Sequence, residues 1–392
     1  MRRIRKLLGI CYKKLRVKAR VLKDYVMASL CFWMPLEDKI VFISYGGKGY
    51  GCNPKYIANA LIRQNAPYDM VWLLKNMEDQ VPDPIRKVPF FGFQGIREIA
   101  TAKVIIANTK GDLRLIKKKG QYVIQTWHAS YNPKMIEKNA IGKLPEQYIR
   151  ESIRNSAQTD LFLSNSRVLS EEYRSGFWCD CEIMECGFPR NDILFHWEQE
   201  IPVRVREELG IPKDGRIVLY APTFRDDFTV DAFDMDAEAV LRTLNGTGGD
   251  WYLIIRMHPN VAFFQNQFRY DDHILNGTPY PDMQDLLLAS DILITDYSST
   301  FYEFAILERP SYIYAPDVEA YQKMRGLKPD FFRMPYPVCR TNEELLALLE
   351  QYTPEAGREN ARKFMEHFGG TDQGDASLKV AARIVDVMEG KL

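Results

Sequence analysis

Short apolar runs alternate with amphipathic helical patterns from residue 39 to the C-terminus. They predict an α/β protein of two doubly wound, Rossmann-type domains facing across a cleft. Three observations carry this. The run Ile292 to Thr295 is short, apolar and β-branched, as a strand covered on both faces is. The alternation breaks once, over residues 196–216, where the chain is charged and contains Pro202 and Pro212, and then restarts. Polar clusters recur where strands should end, the address at which open parallel sheets bind ligands. At 392 residues the chain exceeds one ordinary core. The expected division is 1–36, a basic amphipathic membrane-associating segment; 37–200, an N-terminal Rossmann-like domain; 201–375, a C-terminal Rossmann-like domain; and 376–392, a helix packing back on the first domain.

In the first half, a strand is expected at 40–44, then the loop Gly46-Gly47-Lys48-Gly49-Tyr50-Gly51, then a helix at 54–63 with Pro54 in its first turn. The loop lacks the Lys-Ser/Thr of a phosphate-binding loop and, with Cys52 in the last position, departs from GxGxxG. Strands follow at 70–74, 104–107, 122–125 and 160–163, with helices at 94–101, 146–155 and 168–175. In the second half, Pro202 and Pro212 flank a short helix. Strands are expected at 217–220, 251–256 and 292–295, and helices at 232–244, 282–289, 342–351, 355–367 and 376–388.

Hydrophobic residues make up 46% of the chain and aromatics 12%, which suits a packed globular protein and excludes disorder. Net charge is zero but uneven: residues 1–24 hold ten Lys or Arg and one acid, leaving the rest at −9. Ile4, Leu7, Leu8, Cys11, Leu15 and Val17 mix with these bases as in an amphipathic helix, beside Phe32-Trp33-Met34. The run 25–36 is too short to span a bilayer, so an anionic cytoplasmic membrane surface is the expected partner, in preference to nucleic acid. The seven cysteines form no CxxC pair; Cys179, Cys181 and Cys186 with His196 fit no zinc spacing. Buried thiols in a reducing compartment are expected.

The stretch 291–310 organises the candidate chemistry. A buried strand leads into Asp296-Tyr297-Ser298-Ser299, then a helical face of Phe301, Phe304, Ala305 and Leu307, with Thr300 and Glu303 spaced as a capping box. Such a helix start offers backbone N–H groups and two hydroxyls to an anion, although simple capping uses the same residues. Four further clusters stand at strand ends: Gln125-Thr126-Trp127-His128-Ala129-Ser130 with Lys134; Gly187 to Asp192, carrying Arg190; Ala221-Pro222-Thr223-Phe224-Arg225; and Arg256-Met257-His258-Pro259-Asn260. Arg and His at these ends suit a pyrophosphate. No carboxylate set marks a divalent-metal site.

In order, Trp127-His128, Gly187-x-Pro-Arg-x-Asp192, Ala221-Pro-Thr-x-Arg225, His258-Pro259 and Thr295-Asp-Tyr-Ser-Ser299 resemble the CDP-glycerol glycerophosphotransferase family, the teichoic acid primases and polymerases. Val41-Phe42, Asn53-Pro54-Lys55, Asp317, Tyr321 and Arg325-Gly326 extend the likeness over residues 39–388. The resemblance implies a GT-B fold and transfer of an alcohol phosphate from CDP-glycerol or CDP-ribitol to a hydroxyl of a membrane-linked glycan acceptor. CMP is released and no cofactor or metal is required. It also implies catalytic roles for His128, as general base, and His258. Donor or phosphate contacts fall to Thr223, Arg225, Asp296, Ser298, Ser299, Glu303 (through the cytidine ribose) and Arg325; acceptor contacts fall to Trp127, Lys134 and Asn53. Two positions depart from the family: Ala129-Ser130 replaces Gly-Thr after the histidine, and Glu303 stands where Asp is usual.

Two other readings fit parts of the pattern. His-Pro and Ser-Ser pairs also occur in GT-B glycosyltransferases that use nucleotide sugars, such as polysialyltransferases. An inactive membrane-bound scaffold would keep the fold without the chemistry, and the retained His128, His258, Arg325 and both serines speak against it.

Overall fold

The computed structural model describes residues 26–110, 116–196, 199–223, 225, 233–257 and 268–392. His258, Phe224 and the basic stretch 1–24 lie outside the described residues. The described chain builds two parallel sheets, one from each half. The first contains β1 (Glu37–Ile43), β2 (Asp69–Leu74), β3 (Arg86–Pro89), β4 (Ala102–Ala107), β5 (Tyr122–Gln125), β6 (Leu161–Ser164) and β7 (Glu182–Glu185). The second contains β8 (Arg216–Ala221), β9 (Trp251–Ile255), β10 (Ile274–Asn276), β11 (Ile292–Thr295), β12 (Ser311–Tyr314) and β13 (Val338–Cys339). The strand orders are β3-β2-β1-β4-β5-β6-β7 and β10-β9-β8-β11-β12-β13, with every pair parallel. Each order reverses once, between β1 and β4 and between β8 and β11, and a doubly wound sheet opens its ligand crevice at that reversal.

Helices cover both faces. The described part of α1 is 26–32; α2 (Cys52–Arg63), α3 (Phe93–Thr101), α4 (Glu146–Ser156) and α5 (Arg167–Gly176) complete the first lobe. The second lobe has α6 (Glu200–Leu209), α7 (Ala237–Gly246), α8 (Met283–Ala289), α9 (Thr300–Ile306), α10 (Val318–Arg325), α11 (Asn342–Glu350) and α12 (Pro354–Phe368). After Gly369 the chain crosses back, and α13 (Ala376–Met388) packs against α2 and β4. Period-2 alternation explains the layering: Ile40 and Phe42 join one core cluster, while Val41 and Ile43 join another with Met27 and Cys31 of α1. The first cluster runs on into the second lobe, where Tyr131 meets Phe301 and Phe368 at ring-centroid distances of 5.2 and 5.3 Å. No helix among the described residues is long and apolar enough to cross a membrane.

Several expectations are corrected. Pro202 lies inside α6, in its first turn, where a missing N–H costs nothing. Helix α7 starts at Ala237, because the Asp236 carboxylate accepts from Ala239 N at 2.8 Å and caps it. Thr300 and Glu303 form no capping box: Ser299 is the N-cap of α9, Thr300 N donates to Ser298 Oγ at 3.2 Å, and Glu303 points elsewhere. Cys179 and Cys181, expected as thiols, form a disulfide, whereas Cys31, Cys52, Cys186 and Cys339 are buried free cysteines.

Candidate active site

The turn after β5 sets the first half of the site. Trp127 adopts a left-handed backbone (φ 53°), which a non-glycine residue holds only when its surroundings enforce it. Two contacts do so: Trp127 N donates to Gln125 Oε1 at 2.9 Å, and Asn53 Nδ2 donates to Trp127 O at 3.0 Å. The turn brings His128 Nδ1 within 2.8 Å of the Asn108 carbonyl at the end of β4. A carbonyl only accepts, so Nδ1 carries the proton and Nε2 keeps its lone pair. Burial pushes the half-buried imidazole's pKa down to about 4; the Asn108 hydrogen bond opposes this shift, while the Arg190 and Lys134 charges reinforce it. His128 is therefore neutral at physiological pH, with an unprotonated nitrogen available. Its ring lies 4.5 Å from that of Trp127 and 5.6 Å from that of Tyr45.

Asn108 is a site residue that the sequence reading missed. Fully buried at the reversal point of the first sheet, it accepts from Tyr45 N through Oδ1 at 2.7 Å, and its Nδ2 has no partner among the described residues. Its signal was its address: Asn108-Thr109-Lys110 ends a buried strand just as the recognised clusters do. Lys110 stands over the rings of Phe177 (4.9 Å) and Phe162 (5.3 Å), and burial lowers its pKa to about 8.

Between the lobes runs a buried polar brace. Arg190 pairs with Glu303, and both are nearly inaccessible. Glu303 Oε1 also accepts from Ser130 Oγ at 3.0 Å, and Oε2 accepts from Gln284 Nε2 at 2.8 Å. Asn53 Oδ1 accepts from Arg190 N at 3.1 Å, so both ends of that amide serve the framework. Nearby, Lys55 pairs with Asp282, whose carboxylate also accepts from Tyr56 Oη at 3.1 Å. Burial would raise the Asp282 pKa, but the lysine charge and these hydrogen bonds outweigh it and hold the pKa below the usual range. Glu303, expected at the ribose, thus has both oxygens engaged by protein donors, and the departure from Asp gives it the reach to cross the cleft.

The second half of the site is built at the β8/β11 reversal. Asp296 Oδ1 accepts from Thr223 N at 2.8 Å and Tyr297 N at 2.6 Å, locking the two strand ends together. Arg225 is buried and forks onto Asp317 through Nε (2.6 Å) and Nη2 (3.0 Å), while Nη1 reaches Thr223 O (2.5 Å) and Asp296 Oδ2 (2.9 Å). Tyr297 and Tyr321 stack at 3.8 Å beneath that guanidinium. Asp296 and Arg225 accordingly shape the site from within. Beside them, Thr223 Oγ1 is a buried hydroxyl with no partner among the described residues, and Ser298 and Ser299 are half-buried. Ser298 Oγ is 2.6 Å from Thr300 Oγ1.

Lys134 and Arg325 meet where the lobes touch. Lys134 pairs with Leu327 in an isolated bridge, Met135 N donates to Gly326 O at 3.1 Å, and Lys134 Nζ lies 5.6 Å over the Tyr321 ring. Trp127, His128 and Lys134 follow β5 of the first lobe, Thr223 follows β8, Ser298 and Ser299 follow β11, and Arg325 ends α10; Ser130 on Glu303 and Lys134 over the Tyr321 ring join the two sets. Asn53, Asp296, Arg225 and Glu303 stand behind them. No group of three or more His, Cys, Asp or Glu among the described residues could hold a metal ion.

Known proteins of the same build give this geometry its context. The sequence profile of CDP-Glycerol:Poly(glycerophosphate) glycerophosphotransferase matches residues 26–386. A teichoic acid poly(glycerol phosphate) polymerase of Bacillus spizizenii is 32% identical over 90% of this chain and 93% of its own. A teichoic acid glycerol-phosphate transferase of Staphylococcus aureus is 27% identical over 92% and 96%. The solved wall teichoic acid polymerase TagF superposes with a TM-score of 0.85 at 28% identity, covering 99% of this chain and 98% of that one, and a variant soaked with CDPG matches at 0.83. With a GT-B-like pair of lobes and a family profile that spans nearly the whole chain, the chain belongs to the CDP-glycerol:poly(glycerophosphate) glycerophosphotransferase family.

Proposed function

We propose that the protein transfers glycerol phosphate from CDP-glycerol to a hydroxyl of a membrane-linked acceptor in teichoic-acid-type polymer synthesis, releasing CMP. Family membership supports the reaction class. The observation in this chain that carries the mechanism is His128, a neutral imidazole with Nδ1 fixed on Asn108 and Nε2 free. Nε2 takes the acceptor hydroxyl's proton as its oxygen attacks the β-phosphorus. The P–O bond to CMP breaks, and a phosphodiester forms to the acceptor. Charge developing on the phosphoryl oxygens meets Thr223 Oγ1, the Ser298 and Ser299 hydroxyls and the Arg325 guanidinium, already in place before attack. His258 is assigned to the same task by its motif. The dianionic pyrophosphate also raises the His128 pKa from its low resting value, bringing the base toward the range where proton transfer is efficient. No metal or cofactor is assigned a step.

Lys134 and Trp127 are assigned to the acceptor. Membrane contact is assigned to the N-terminal segment. Its described helix α1 buries Met27 and Cys31 against the first sheet and turns Val26 and Leu30 outward, and Trp33, in the turn that follows, is 86% exposed. That outward stripe, next to ten basic residues, suits the cytoplasmic face of an anionic membrane. A CMP-release assay with CDP-glycerol, CDP-ribitol and CMP-sialic acid, on acceptor-loaded vesicles, tests the assignment. Turnover with CDP-glycerol above the other two is expected; CMP release from CMP-sialic acid alone would overturn it.

A further inference from the structure

The far pole of the second lobe, at the opposite ends of its strands from the cleft, holds a cavity of about 560 Å³ lined by Arg216, Arg309, Arg358 and Arg362 against Asp291 and Glu308. Arg216 begins β8, Asp291 precedes β11 and Pro310 precedes β12, so a whole strand length, about 20 Å, separates this cavity from the cleft. One ligand of nucleotide size therefore does not fill both.

The two acids leave the basic charge in excess. Glu308 receives Arg362 in a fork, Nε at 3.1 Å and Nη2 at 3.0 Å, and lies 3.9 Å from Arg358. Asp291 Oδ2 accepts from Ile217 N at 2.8 Å. Arg309 spends Nη1 on the carbonyls of Leu288 (2.8 Å) and Ser290 (2.5 Å). Arg216 has no carboxylate within ion-pair reach among the described residues, and its guanidinium is held 5.3 Å over the Trp251 ring. Four guanidinium groups in one hollow carry a net charge of +2 over the two acids, a field that attracts an anion. Arg358 and Arg362 stand one helical turn apart on α12, about 6 Å between their Cβ atoms, a spacing shared by successive phosphates of an extended short-diol phosphodiester chain.

We propose that this cavity binds a phosphodiester chain, a stretch of the polyanionic polymer, at a site separate from the transfer cleft. The choice of ligand rests on the glycerophosphotransferase reading above; the anion site itself rests on the arginines. Arginine forks match phosphate oxygens in pairs and are weakly hydrated, so they suit repeated engagement along such a chain. The site would hold the polymer on the enzyme between additions, adding an intramolecular term to acceptor binding.

The test compares the full chain with an Arg216→Gln, Arg358→Ser variant, both positions being exposed. Binding of a lipid-free glycerol phosphate hexamer is measured by calorimetry, and CMP release with a single-unit acceptor is followed in parallel. The variant is expected to bind the hexamer at least about tenfold more weakly, with a shallower salt dependence and unchanged single-unit turnover. Equal hexamer affinity in the two proteins would overturn the proposal. So would displacement of the hexamer by inorganic phosphate at equal phosphate concentration. Absence of CMP release from both proteins, with hexamer binding intact and arginine-dependent, would instead count against the assigned reaction and leave the anion site standing.

Discussion

Replacing Glu303 by Gln separates two roles for this carboxylate, brace between lobes and ligand of the nucleotide ribose. Arg190 is buried, its Nε has no partner among the described residues, and Glu303 is its buried counter-charge. Glutamine keeps the shape and one acceptor oxygen but removes the charge, turning a charge-assisted contact into a hydrogen bond to a buried, uncompensated cation. Outright loss of one partner of such a pair costs about 3–5 kcal/mol, and retention of the neutral hydrogen bond reduces this to about 2 kcal/mol. For lobes of this size about 2 kcal/mol corresponds to a fall in Tm of about 4–8 °C. Scanning calorimetry gives that shift, and a cycle with Arg190→Met gives the coupling between the two side chains. Titration with CDP-glycerol completes the comparison, and little change in affinity is expected at a temperature where the variant is folded. An unchanged Tm together with CDP-glycerol binding weakened tenfold or more would refute the brace and return Glu303 to the ribose.

Three further outcomes follow from the geometry. His128→Ala should leave CDP-glycerol binding near normal and reduce turnover by about a hundredfold or more; a stable variant with near-parental turnover would remove His128 from the mechanism. Because the His128 pKa lies well below its ordinary value, the free enzyme keeps its base unprotonated through neutrality, and kcat/KM should show no acid limb between about pH 6 and 8. The same depression makes folding stability fall as pH drops from the ordinary histidine range toward 4, which urea titration at two pH values detects. Replacing Ser298 and Ser299 together by Ala should weaken CDP-glycerol binding without unfolding, since the Ser299 hydroxyl makes no cap bond and Ser298 bonds only to Thr300; unchanged affinity would move the donor contacts elsewhere. For the membrane, a cut before residue 26 or a Leu30→Glu, Trp33→Glu variant should abolish binding to anionic liposomes. Removing 1–36 is the wrong probe, because it strips Met27 and Cys31 from the core.

The fold was readable because its central strands are continuous apolar runs buried on both faces, a pattern that needs no knowledge of neighbours. Five strands escaped notice: Ser311–Tyr314 is buried inside its sheet but holds one aliphatic residue among a serine and two tyrosines, Ile274–Asn276 has three residues, and the rest are short or carry mixed residues. Arg86–Pro89 and Glu182–Glu185 are edge strands with exposed charges, and Val338–Cys339 is only two residues long. The clusters do follow parallel strands, since chain direction alone fixes which end of a parallel sheet they occupy. What sequence could not supply was the partner of each group. Arg225 looks like a free phosphate ligand until Asp317, 92 residues away, takes it. Glu303 looks like a helix cap until Arg190 and Ser130 claim it from the other lobe. Asn108 drew no notice because a short amide between Ala107 and Thr109 carries no charge or ring, although its carbonyl sets the histidine tautomer.

The return of α13 to the first lobe has a mechanical consequence. Two segments pass between the lobes, one on each side of α6 to α12, and they are clasped to each other: Asp372 accepts from Phe188 N at 2.8 Å and Asn191 Nδ2 at 3.1 Å, while Asp192 accepts from Ala376 N and Ser377 N at 3.0 and 2.7 Å. Gly370 fits there because a Cβ would come within 2.3 Å of Tyr302 Oη. A body held by two bound tethers at one place cannot twist or slide freely; it swings about the line they define, like a cover on a spine. Any rotation about that line would have to break the buried Arg190–Glu303 and Lys55–Asp282 pairs, so clasp and brace together hold the two lobes against each other.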